Sequence, residues 1–365
     1  MGVSRRAYND TVAYLRRPAT KANWKSIKGE LLAALPEWAD STPYQIKSIA
    51  VKDACKAVGR AKMKWKTTGQ PQRVHFRTRK DSVQSFYIPK MAVFQRGLYP
   101  TLSLIEKGEF EWAEELPEEH GDCRLVCDGH RWYVCVPVQE QRRPSEIQGR
   151  VVSIDPGIRT FATFYSESSC GKIGHGDFGR IQRMCSHLDA LISNTKREDR
   201  SLRRRRLRLA CARMRARIRD LVDELHHKVA LFFVKNFDII LLPTFETKDM
   251  VSRARRRIGR KSVRSMLTFS HYRFKSFLKH KAFEHGKLVI DTNEAWTSKT
   301  VSWTGETVDR LGGAKKIRSL KTGDVMDRDY NGARGIFLRA LGDEPFLKES
   351  LQNALAPAPH HGDLS

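Results

Sequence analysis

The amino-acid sequence predicts a multi-domain α/β protein, and three observations support that prediction. The chain has 365 residues, a length that favours two or three domains over one. Apolar residues make up 40% of the chain and aromatic residues 9%, so it can bury a sizeable core. The residue pattern changes twice: helical spacing gives way to short alternating runs near residue 74, and apolar strands separated by helices begin at residue 150.

The charge balance indicates the kind of partner. The chain has 67 Lys and Arg residues against 41 Asp and Glu residues, a net charge of +26. Such an excess favours polyanions, because each neutralised phosphate releases condensed counterions. The alternatives are a merely soluble basic protein and, less favoured, a membrane-surface protein, since the basic stretches are not paired with exposed aromatic faces.

We expect neither targeting signals nor disulfides. No run of 18 apolar residues is present, and the first twenty residues contain four arginines in place of an apolar signal region. Seven cysteines are thinly spread over a long chain. An odd number at this density fits a reducing compartment better than a disulfide scaffold.

The first part of the chain, residues 1–70, predicts a helical region. Spaced apolar residues indicate helices over 9–16, 25–35 and 44–65. Thr42-Pro43 precedes the last of these, and we expect Thr42 as its N-cap with Pro43 in the first helical position.

Residues 71–149 predict a small antiparallel barrel or sheet. Short alternating runs lie at 74–77, 85–89, 123–127 and 131–138. Asp128-Gly129 between the last two is a hairpin signal, and a basic, proline-containing linker follows at 141–149.

Four possible zinc ligands lie on the same predicted hairpin: Cys123, Cys127, His130 and Cys135. They lie on strands whose side chains alternate between two faces, and the spacing from Cys123 to Cys127 is not a tight metal spacing. We therefore expect no zinc there.

From residue 150 onward, strands and helices alternate. Strands are predicted at 151–155, 160–166, 172–178, 238–242 and 287–291, and helical stretches at about 180–235, 266–285 and 330–341. The order strand-strand-strand-helix-strand-helix-strand-helix is the layout of the RNase H-like α/β fold. Many functions share one fold, so function has to be argued from residues.

The stretch at 180–235 combines an apolar seam with many arginines. Steps of four and three separate Leu207, Cys211, Met214, Ile218, Leu221, Leu225, Val229 and Phe232, which predicts one apolar seam, as in a helical hairpin or a short coiled coil. Nine arginines lie within seventeen residues: Arg203, Arg204, Arg205, Arg206, Arg208, Arg213, Arg215, Arg217 and Arg219. A solvated basic face is the simpler interpretation, but the density favours phosphate contacts.

A second basic cluster follows the strand that ends at Leu242. It consists of Arg253, Arg255, Arg256, Arg257, Arg260, Lys261 and Arg264. A nucleic-acid contact and a nuclear-import signal both fit this composition.

Three acids are candidates for chemistry. Asp155 ends a buried strand directly before a Pro-Gly turn, where a carboxylate is costly unless it is paired or bound to a metal. Asp327 and Asp329 open the last helix, where an N-cap role stabilised by the helix dipole explains one of them. Together they supply acids at two of the three positions where an RNase H-like nuclease holds its metals.

Two motifs carry a resemblance to a known family. Residues 155–163 (DPGIRTFAT) resemble the first RuvC motif of the transposon-encoded RNA-guided nucleases called TnpB, and are closer still to their eukaryotic relatives, the Fanzor proteins. Residues 327–336 (DRDYNGARGI) resemble the third RuvC motif. The resemblance continues through 274–286 and 297–300, and more weakly through 6–9 and 43–62, so it covers most of the chain.

The resemblance implies a division of the chain into regions. A helical recognition lobe occupies 1–70, a wedge-like β-barrel 71–149, and a RuvC nuclease core 150–300, with the helical hairpin inserted at about 180–235. A degenerate ribbon for target-nucleic-acid binding follows at 301–326, the final RuvC helix at 327–345 and a tail at 346–365.

Two of the family's three catalytic acids have direct counterparts in this sequence, and the third does not. Asp155 matches the first and Asp329 the third, with Asp327 as a supporting acid. The usual Glu of the second motif aligns with Pro243. Fanzors have a rearranged site in which a Glu before the Thr-Ser-Lys-Thr element takes over, and Glu294 stands there, 51 residues downstream of Pro243.

The exchange to Glu294 has a physical basis. We expect the strands ending at Leu242 and Asp291 to be neighbours, about 4.8 Å apart, so that Glu294 can reach the same metals. Glu246 is the competitor, closer to the old position but beyond Pro243. Three hard carboxylates suit Mg²⁺, and two such ions suit phosphodiester hydrolysis.

The ribbon departs from the family pattern. The positions of its four zinc-binding cysteines are occupied by Val301, Thr304, Ser319 and Thr322. None of these binds zinc as a thiolate, so no zinc is expected, although Gly305 and Gly323 predict that the ribbon turns persist.

The resemblance implies an RNA-guided DNA endonuclease with two Mg²⁺ ions and a guide RNA (ωRNA) as cofactors. Its other partner would be double-stranded DNA, in a ribonucleoprotein with one copy of the chain. Base pairing would supply most of the specificity. The expected nucleic-acid contacts are Arg203, Arg204, Arg205, Arg206, Arg208, Arg213, Arg217, Arg255, Arg256, Arg257, Arg260, Lys261 and Lys299.

Two rival functions and the compartment remain open. One rival is a guided nucleic-acid-binding protein with weakened or lost cleavage, which the missing ribbon cysteines and Pro243 favour. The other is an RNA-binding factor with a relic RNase H-like fold. The Fanzor resemblance implies the nucleus for a eukaryotic host, with residues 253–261 as the import candidate, and the cytoplasm otherwise.

Overall fold

The computed structural model describes residues 1–95, 97–99, 111–129, 131–141, 149–244, 251, 259–292, 297, 299–308, 314–345 and 347. The chain divides into two compact units, Met1–Gln139 and Glu140–Ser365. Within the described ranges, no helix combines the length and the apolar character needed to cross a bilayer.

Helices form the first part of the first unit. They are α1 (Gly2–Leu15), α2 (Trp24–Ala33) and α3 (Tyr44–Thr68), with a short 3₁₀ turn at Glu37–Ala39. Tyr8 and Val12 of α1 pack against Ala54 of α3, which buries the apolar stripes that the sequence predicts.

The predicted cap of α3 is wrong. Pro43 occupies the N-cap position with extended backbone (φ −49°, ψ 136°), and no side chain caps the helix. The carbonyl of Pro43 instead accepts the first helical hydrogen bond, from Ile46 N at 3.1 Å. Thr42 therefore lies one residue too early to cap.

The first unit also contains a small antiparallel sheet. Strand β4 (Cys123–Asp128) lies between β1 (Val83–Ile88) and β5 (Arg131–Cys135), and β2 (Val93–Phe94) pairs with β3 (Gly97–Leu98) after a 3₁₀ turn at Lys90–Ala92. The Asp128-Gly129 hairpin is confirmed. In the residues described, these strands form an open sheet and a separate hairpin, so closure into a barrel stays a prediction.

The predicted strand at 74–77 is wrong. This stretch has no regular structure, because side chains of α1 bind its backbone in place of a neighbouring strand. Asn9 donates to the carbonyl of Arg77 and accepts from its N–H, each at 2.8 Å. Arg16 donates to the carbonyl of Val74 at 3.0 Å.

A mixed five-stranded sheet forms the centre of the second unit. Its strands, in spatial order, are β10 (Leu288–Thr292), β9 (Ile239–Pro243), β6 (Val151–Pro156), β7 (Ala162–Ser166) and β8 (Cys170–Ile173). The first three run parallel and the last two pair antiparallel. The predicted adjacency of the strands ending at Leu242 and Asp291 is confirmed, because these two residues pair in register.

Helices of the second unit are α4 (Asp177–Arg197), α5 (Ser201–Asn236), α6 (Arg260–Phe269), α7 (His271–Glu284) and α8 (Arg328–Asp343). A small pair of strands, β11 (Lys316–Arg318) and β12 (Val325–Asp327), precedes α8. The third predicted strand of the large sheet ends early, at Ile173, and α4 begins at Asp177.

The helix predicted at 266–285 is two helices. Ser270 adopts a left-handed conformation (φ 50°) and separates α6 from α7. At the break, the carbonyl of Phe269 contacts His226 Nε2 on α5 at 2.8 Å, so a tertiary hydrogen bond takes the place of a helical one.

The two faces of the large sheet bury different helices. Val152 and Ile154 of β6 face a core built with α4, α5, α6 and α7. Val151 faces the opposite core, which contains Phe337 and Ala340 of α8. Alternation along β6 therefore directs Val151, Ser153 and Asp155 towards α8.

Candidate functional site

Asp155 lies at the carboxyl edge of the parallel strands. In open α/β sheets this edge is where ligands bind. Strands β6, β9 and β10 end there at Pro156, Pro243 and Thr292. The local sequence explains the position of Asp155, since four buried apolar or small residues precede it and a proline ends the strand.

Contacts with α8 bring Asp155 towards the other predicted acids. Ser153, two residues earlier on the same face of β6, donates to the carbonyl of Ala333 at 2.7 Å. A Cβ atom built on Gly332 would lie 2.5 Å from Asp155 Oδ2. The carboxylate therefore rests against α8 at Gly332. Gly332 is three residues after Asp329, hence on the same side of the helix.

Asp327, rather than Asp329, is the N-cap of α8, a choice that the sequence did not decide. Its Oδ1 accepts from the N–H of Asp329 at 2.9 Å, which makes it the N-cap of α8. Burial alone would raise the pKa of Asp327. Hydrogen bonds from Lys172 and from the backbone N–H of Asp329 outweigh this and hold the pKa below its usual range.

Lys172 on β8 is a site residue that sequence reasoning missed. Its Nζ lies 2.8 Å from Asp327 Oδ2 and 3.4 Å from Asp329 Oδ2, and 5.0 Å from the ring centre of Tyr330. Burial alone would lower the pKa of Lys172, but the two carboxylates raise it. In the sequence, the one feature that could have identified Lys172 is its position as a charged residue within a predicted strand of the sheet.

The acids of the two motifs are the type of ligand that a hard divalent cation takes. Mg²⁺ prefers carboxylate oxygens, and the pair of acids that opens α8 already holds the ammonium group of Lys172 between its oxygens. The carboxylate of Asp155, on β6, lies against Gly332, which is about one helical turn after Asp329. Within the described part of the chain, no cluster of three or more His, Cys, Asp or Glu residues has metal-binding geometry.

The third predicted ligand lies outside the described residues, as does its competitor. Glu294 and Glu246 follow the ends of β10 and β9, and both remain predictions. The backbones at these strand ends are adjacent: Thr292 pairs in register with Pro243, and the N–H of Thr244 donates to the carbonyl of Thr292 at 3.3 Å.

The arginines of α5 are arranged around a buried seam. Of the predicted apolar seam, Cys211, Ile218 and Val229 are buried. Leu207, Met214, Leu221 and Leu225 are half-buried, whereas Phe232 is 37% exposed and its neighbour Phe233 is buried instead. Eight of the nine arginines are exposed and Arg204 is half-buried. Arg203 Nε lies 3.0 Å from Glu198 Oε2. This face can therefore offer many cationic groups to a polyanion.

The second basic cluster is described in part. Arg253, Arg255, Arg256 and Arg257 lie outside the described residues. Arg260 and Lys261 are exposed at the start of α6, whereas Arg264 Nη2 lies 3.1 Å from Asp189 Oδ1 of α4. Lys299 is exposed.

Comparisons with known proteins agree with these motifs. Residues 271–336 match the family model described as Cas12f1-like, TNB domain. The chain is 34% identical over 248 residues to the putative transposase A625R of Paramecium bursaria Chlorella virus 1, covering 65% of this chain and 55% of that protein. It is 27% identical over 231 residues to the TnpB-like protein L79 of Acanthamoeba polyphaga mimivirus, covering 61% and 43%.

A bacterial relative matches over more of its length. The putative RNA-guided DNA endonuclease of Streptomyces pristinaespiralis is 22% identical over 337 residues, covering 90% of this chain and 78% of that protein. The chain spans about half the length of the two viral relatives. The family-model match and these relatives support the resemblance to the TnpB/Fanzor-type family that the two acidic motifs indicate.

Proposed function

We propose that the protein is an RNA-guided DNA endonuclease that hydrolyses phosphodiester bonds of double-stranded DNA matched by a bound guide RNA. The contact of Asp155 with Gly332 is the observation that supports it best, because it brings the end of β6 to the helix turn that carries Asp329. A relative named as a putative RNA-guided DNA endonuclease matches 90% of the chain, which adds support.

Asp155, Asp329 and Glu294 would hold two Mg²⁺ ions, which when bound supply an activated water and charge stabilisation for the leaving oxygen. Three other residues of the chain hold Asp155 and Asp329 in position at the carboxyl edge of the sheet. Asp327 fixes the first turn of α8 as its N-cap. Lys172 holds the Asp327 and Asp329 carboxylates close together against their mutual repulsion. Gly332 leaves the space that the Asp155 carboxylate needs.

Gly332→Ala is expected to reduce cleavage about 10²-fold without unfolding the protein. The new methyl group would meet Asp155 Oδ2 at 2.5 Å, so the carboxylate must move, and a shift of about 1 Å in a catalytic group has an effect of this size. The initial cleavage rate with guide RNA and matched DNA measures the loss.

Gly342→Ala is the matched control on the same helix, because nothing lies within 4 Å of its built Cβ. It should keep full activity and gain up to about 1 kcal/mol of stability from helix propensity. Equal activity of both variants would contradict the proposed position of Asp155.

The arginine face of α5 would hold the guide RNA and its duplex with DNA through phosphates, with base pairing supplying sequence specificity. Changing Arg205, Arg208, Arg213 and Arg217 to Gln should weaken binding to all sequences alike. The slope of log K against log salt should fall by about 0.9 for each phosphate that the variant no longer neutralises. Fluorescence titrations at several salt concentrations measure that slope.

The same four positions changed to Lys provide the control, because lysine keeps the charge without the bidentate geometry. This variant should keep most of the wild-type salt slope. A Gln variant with the wild-type slope would show that α5 presents a solvated basic face.

The activity itself is tested with the full chain purified together with co-expressed RNA from sequences flanking its gene. DNA matched to that RNA should be cut in Mg²⁺ and left intact in EDTA. Failure to cut across many candidate RNAs and flanking motifs would contradict the proposal. Sequencing the co-purified RNA identifies the guide.

A second candidate is a guided nucleic-acid-binding protein without cleavage. Pro243 at the usual Glu position and the missing ribbon cysteines favour it. It predicts stable binding of RNA and matched DNA, with no divalent-dependent change in the DNA.

The proposal extends to assembly and compartment. One copy of the chain would bind one guide RNA, and a eukaryotic host would require import into the nucleus. The basic segment at 253–261 would serve that import. If a fusion carrying residues 250–265 stayed cytoplasmic, the segment would act only as a nucleic-acid contact.

A further inference from the structure

The ribbon segment keeps two similar turns although it lacks the zinc-binding cysteines of the family. In the first, the N–H of Gly305 donates to the carbonyl of Val301 at 2.9 Å, and Gly305 has φ 74°. In the second, the N–H of Gly323 donates to the carbonyl of Ser319 at 3.1 Å, and Gly323 has φ 78°. Each turn starts at a position where the family has cysteine and ends in a left-handed glycine.

Zinc does not fit these turns. The four family cysteine positions hold Val301, Thr304, Ser319 and Thr322, which offer neither a thiolate nor an imidazole. Val301 is fully buried and apolar. Some other interaction must hold the turns together.

The carboxylate of Glu306 makes that connection. Its Oε2 accepts from the hydroxyl of Thr304 in the first turn at 2.6 Å, and from the hydroxyl of Ser319 in the second. Its Oε1 accepts from the backbone N–H groups of Leu320 and Lys321 at 2.9 and 3.2 Å. Both oxygens are therefore used, and donors from both turns converge on one side chain.

The family cysteine positions take part directly. Thr304 and Ser319 stand at two of them and donate to Glu306. Thr322, at a third, donates its N–H to the Ser319 hydroxyl oxygen at 3.1 Å, and its own hydroxyl accepts from Trp303 Nε1 at 3.4 Å. We propose that Glu306 replaces zinc as the cross-link of a metal-free ribbon.

The electrostatics agree with this role. Hydrogen bonds from Ser319 and Thr304 hold the pKa of Glu306 below its usual range, so it is ionised at neutral pH. Hydrogen bonds to an ionised acceptor are stronger than those between neutral groups.

The cross-linked ribbon is also anchored on α8. Asn331, which is fully buried, accepts from the N–H of Ser302 at 2.9 Å and donates to the carbonyl of Thr300 at 2.8 Å. Arg334 Nη1 donates to the hydroxyl of Ser302 at 3.2 Å. Asn331 and Arg334 therefore hold the first turn against the helix that carries Asp329, and Glu306 joins the second turn to the first. This role of Glu306 does not depend on whether the protein cuts DNA.

The first test uses the wild-type full chain. Elemental analysis should find no stoichiometric zinc, and EDTA should leave the hydrogen-exchange protection of the Gly305 and Gly323 amides unchanged. One zinc per chain, with protection lost in EDTA, would overturn the proposal.

The second test removes the cross-link. Glu306→Ala should speed exchange at both glycine amides by at least about tenfold, because four hydrogen bonds to a charged group disappear. Glu224→Ala is the control, since Glu224 pairs with Lys228 on the exposed surface of α5 and should leave the ribbon unchanged. Wild-type exchange rates in Glu306→Ala would overturn the proposal.

The third test restores a metal site. Adding Val301→Cys, Thr304→Cys, Ser319→Cys and Thr322→Cys to Glu306→Ala should give a chain that binds one zinc ion. Protection of both amides should return with zinc and vanish in EDTA. If zinc does not restore it, the carboxylate does not stand in for a metal and the proposal is wrong.

Discussion

Asp155→Ala, Asp329→Ala and Glu294→Ala are each expected to reduce Mg²⁺-dependent cleavage about 10²-fold or more. In the proposed site, each substitution would remove one oxygen ligand from metal ions whose charge stabilisation is worth several kcal/mol. Binding of guide and target should be largely retained, because losing one carboxylate does not weaken the attraction of a basic surface for phosphates. Single-turnover cleavage and equilibrium binding separate the two effects.

Glu246→Ala is the matched control for Glu294→Ala and should remain active. The opposite pattern, an inactive Glu246→Ala with an active Glu294→Ala, would mean that the carboxylate shifted locally past Pro243. If neither glutamate matters while Asp155→Ala abolishes cleavage, the site uses other acids. The parallel pairing of β9 with β10 puts the ends of the two strands side by side, which allows a Glu after β10 to take the place of the usual Glu after β9.

Asp238→Ala is expected to lower the free energy of unfolding by about 3–5 kcal/mol, the usual cost of removing one partner from a buried ion pair. The Asp238 side chain is 0% exposed. It accepts from Arg150 N at 3.2 Å, from Arg150 Nε at 3.1 Å and from Lys287 Nζ. Arg150, Asp238 and Lys287 directly precede β6, β9 and β10, so one carboxylate joins the starts of three strands. Urea denaturation measures the loss.

Asp189→Ala is the control for this experiment. Its carboxylate is 56% exposed and pairs with Arg264, and an exposed pair contributes about 0–1 kcal/mol. Equal losses in the two variants would contradict the role assigned to Asp238.

The pH dependence of stability provides a second measurement on Asp238. Burial alone would raise its pKa, but hydrogen bonds from Arg150 and Lys287 outweigh burial and lower it. A lowered carboxylate pKa contributes stability that is fully present above the unfolded value of about 3.9 and is lost as the pH falls through the folded value. Asp238→Asn should therefore flatten the loss of stability below about pH 4.

The sequence by itself determined the elements whose cause is local. Strand β9 is a continuous apolar run, as expected for a parallel strand buried on both faces. The steps of four and three in α5 predicted the burial of Cys211, Ile218 and Val229. Asp155 and Asp329 were identified because each lies next to a local signal, a Pro-Gly turn in one case and a helix start in the other.

Sequence reasoning failed where a distant side chain competes with a local pattern. The alternating run at 74–77 is not a strand, because Asn9, 68 residues before Arg77, satisfies the backbone of Arg77. The helix predicted at 266–285 breaks at Ser270, where His226 contacts the carbonyl of Phe269 from 43 residues earlier in the chain. A pattern of a few neighbouring residues carries no information about Asn9 or His226, which are distant in the chain.

Only the tertiary structure decided which residues support the candidate site. Lys172 and Asp327 are 155 residues apart in the chain and 2.8 Å apart in space. The space at Gly332 has meaning only when β6 lies against α8. Glu306 resembles any surface glutamate until the two ribbon turns place four donors around its oxygens. Periodicity and capping signals indicate the conformation of neighbouring residues. The partners of a charged side chain, and the space beside a glycine, depend instead on which distant residues tertiary packing places next to them.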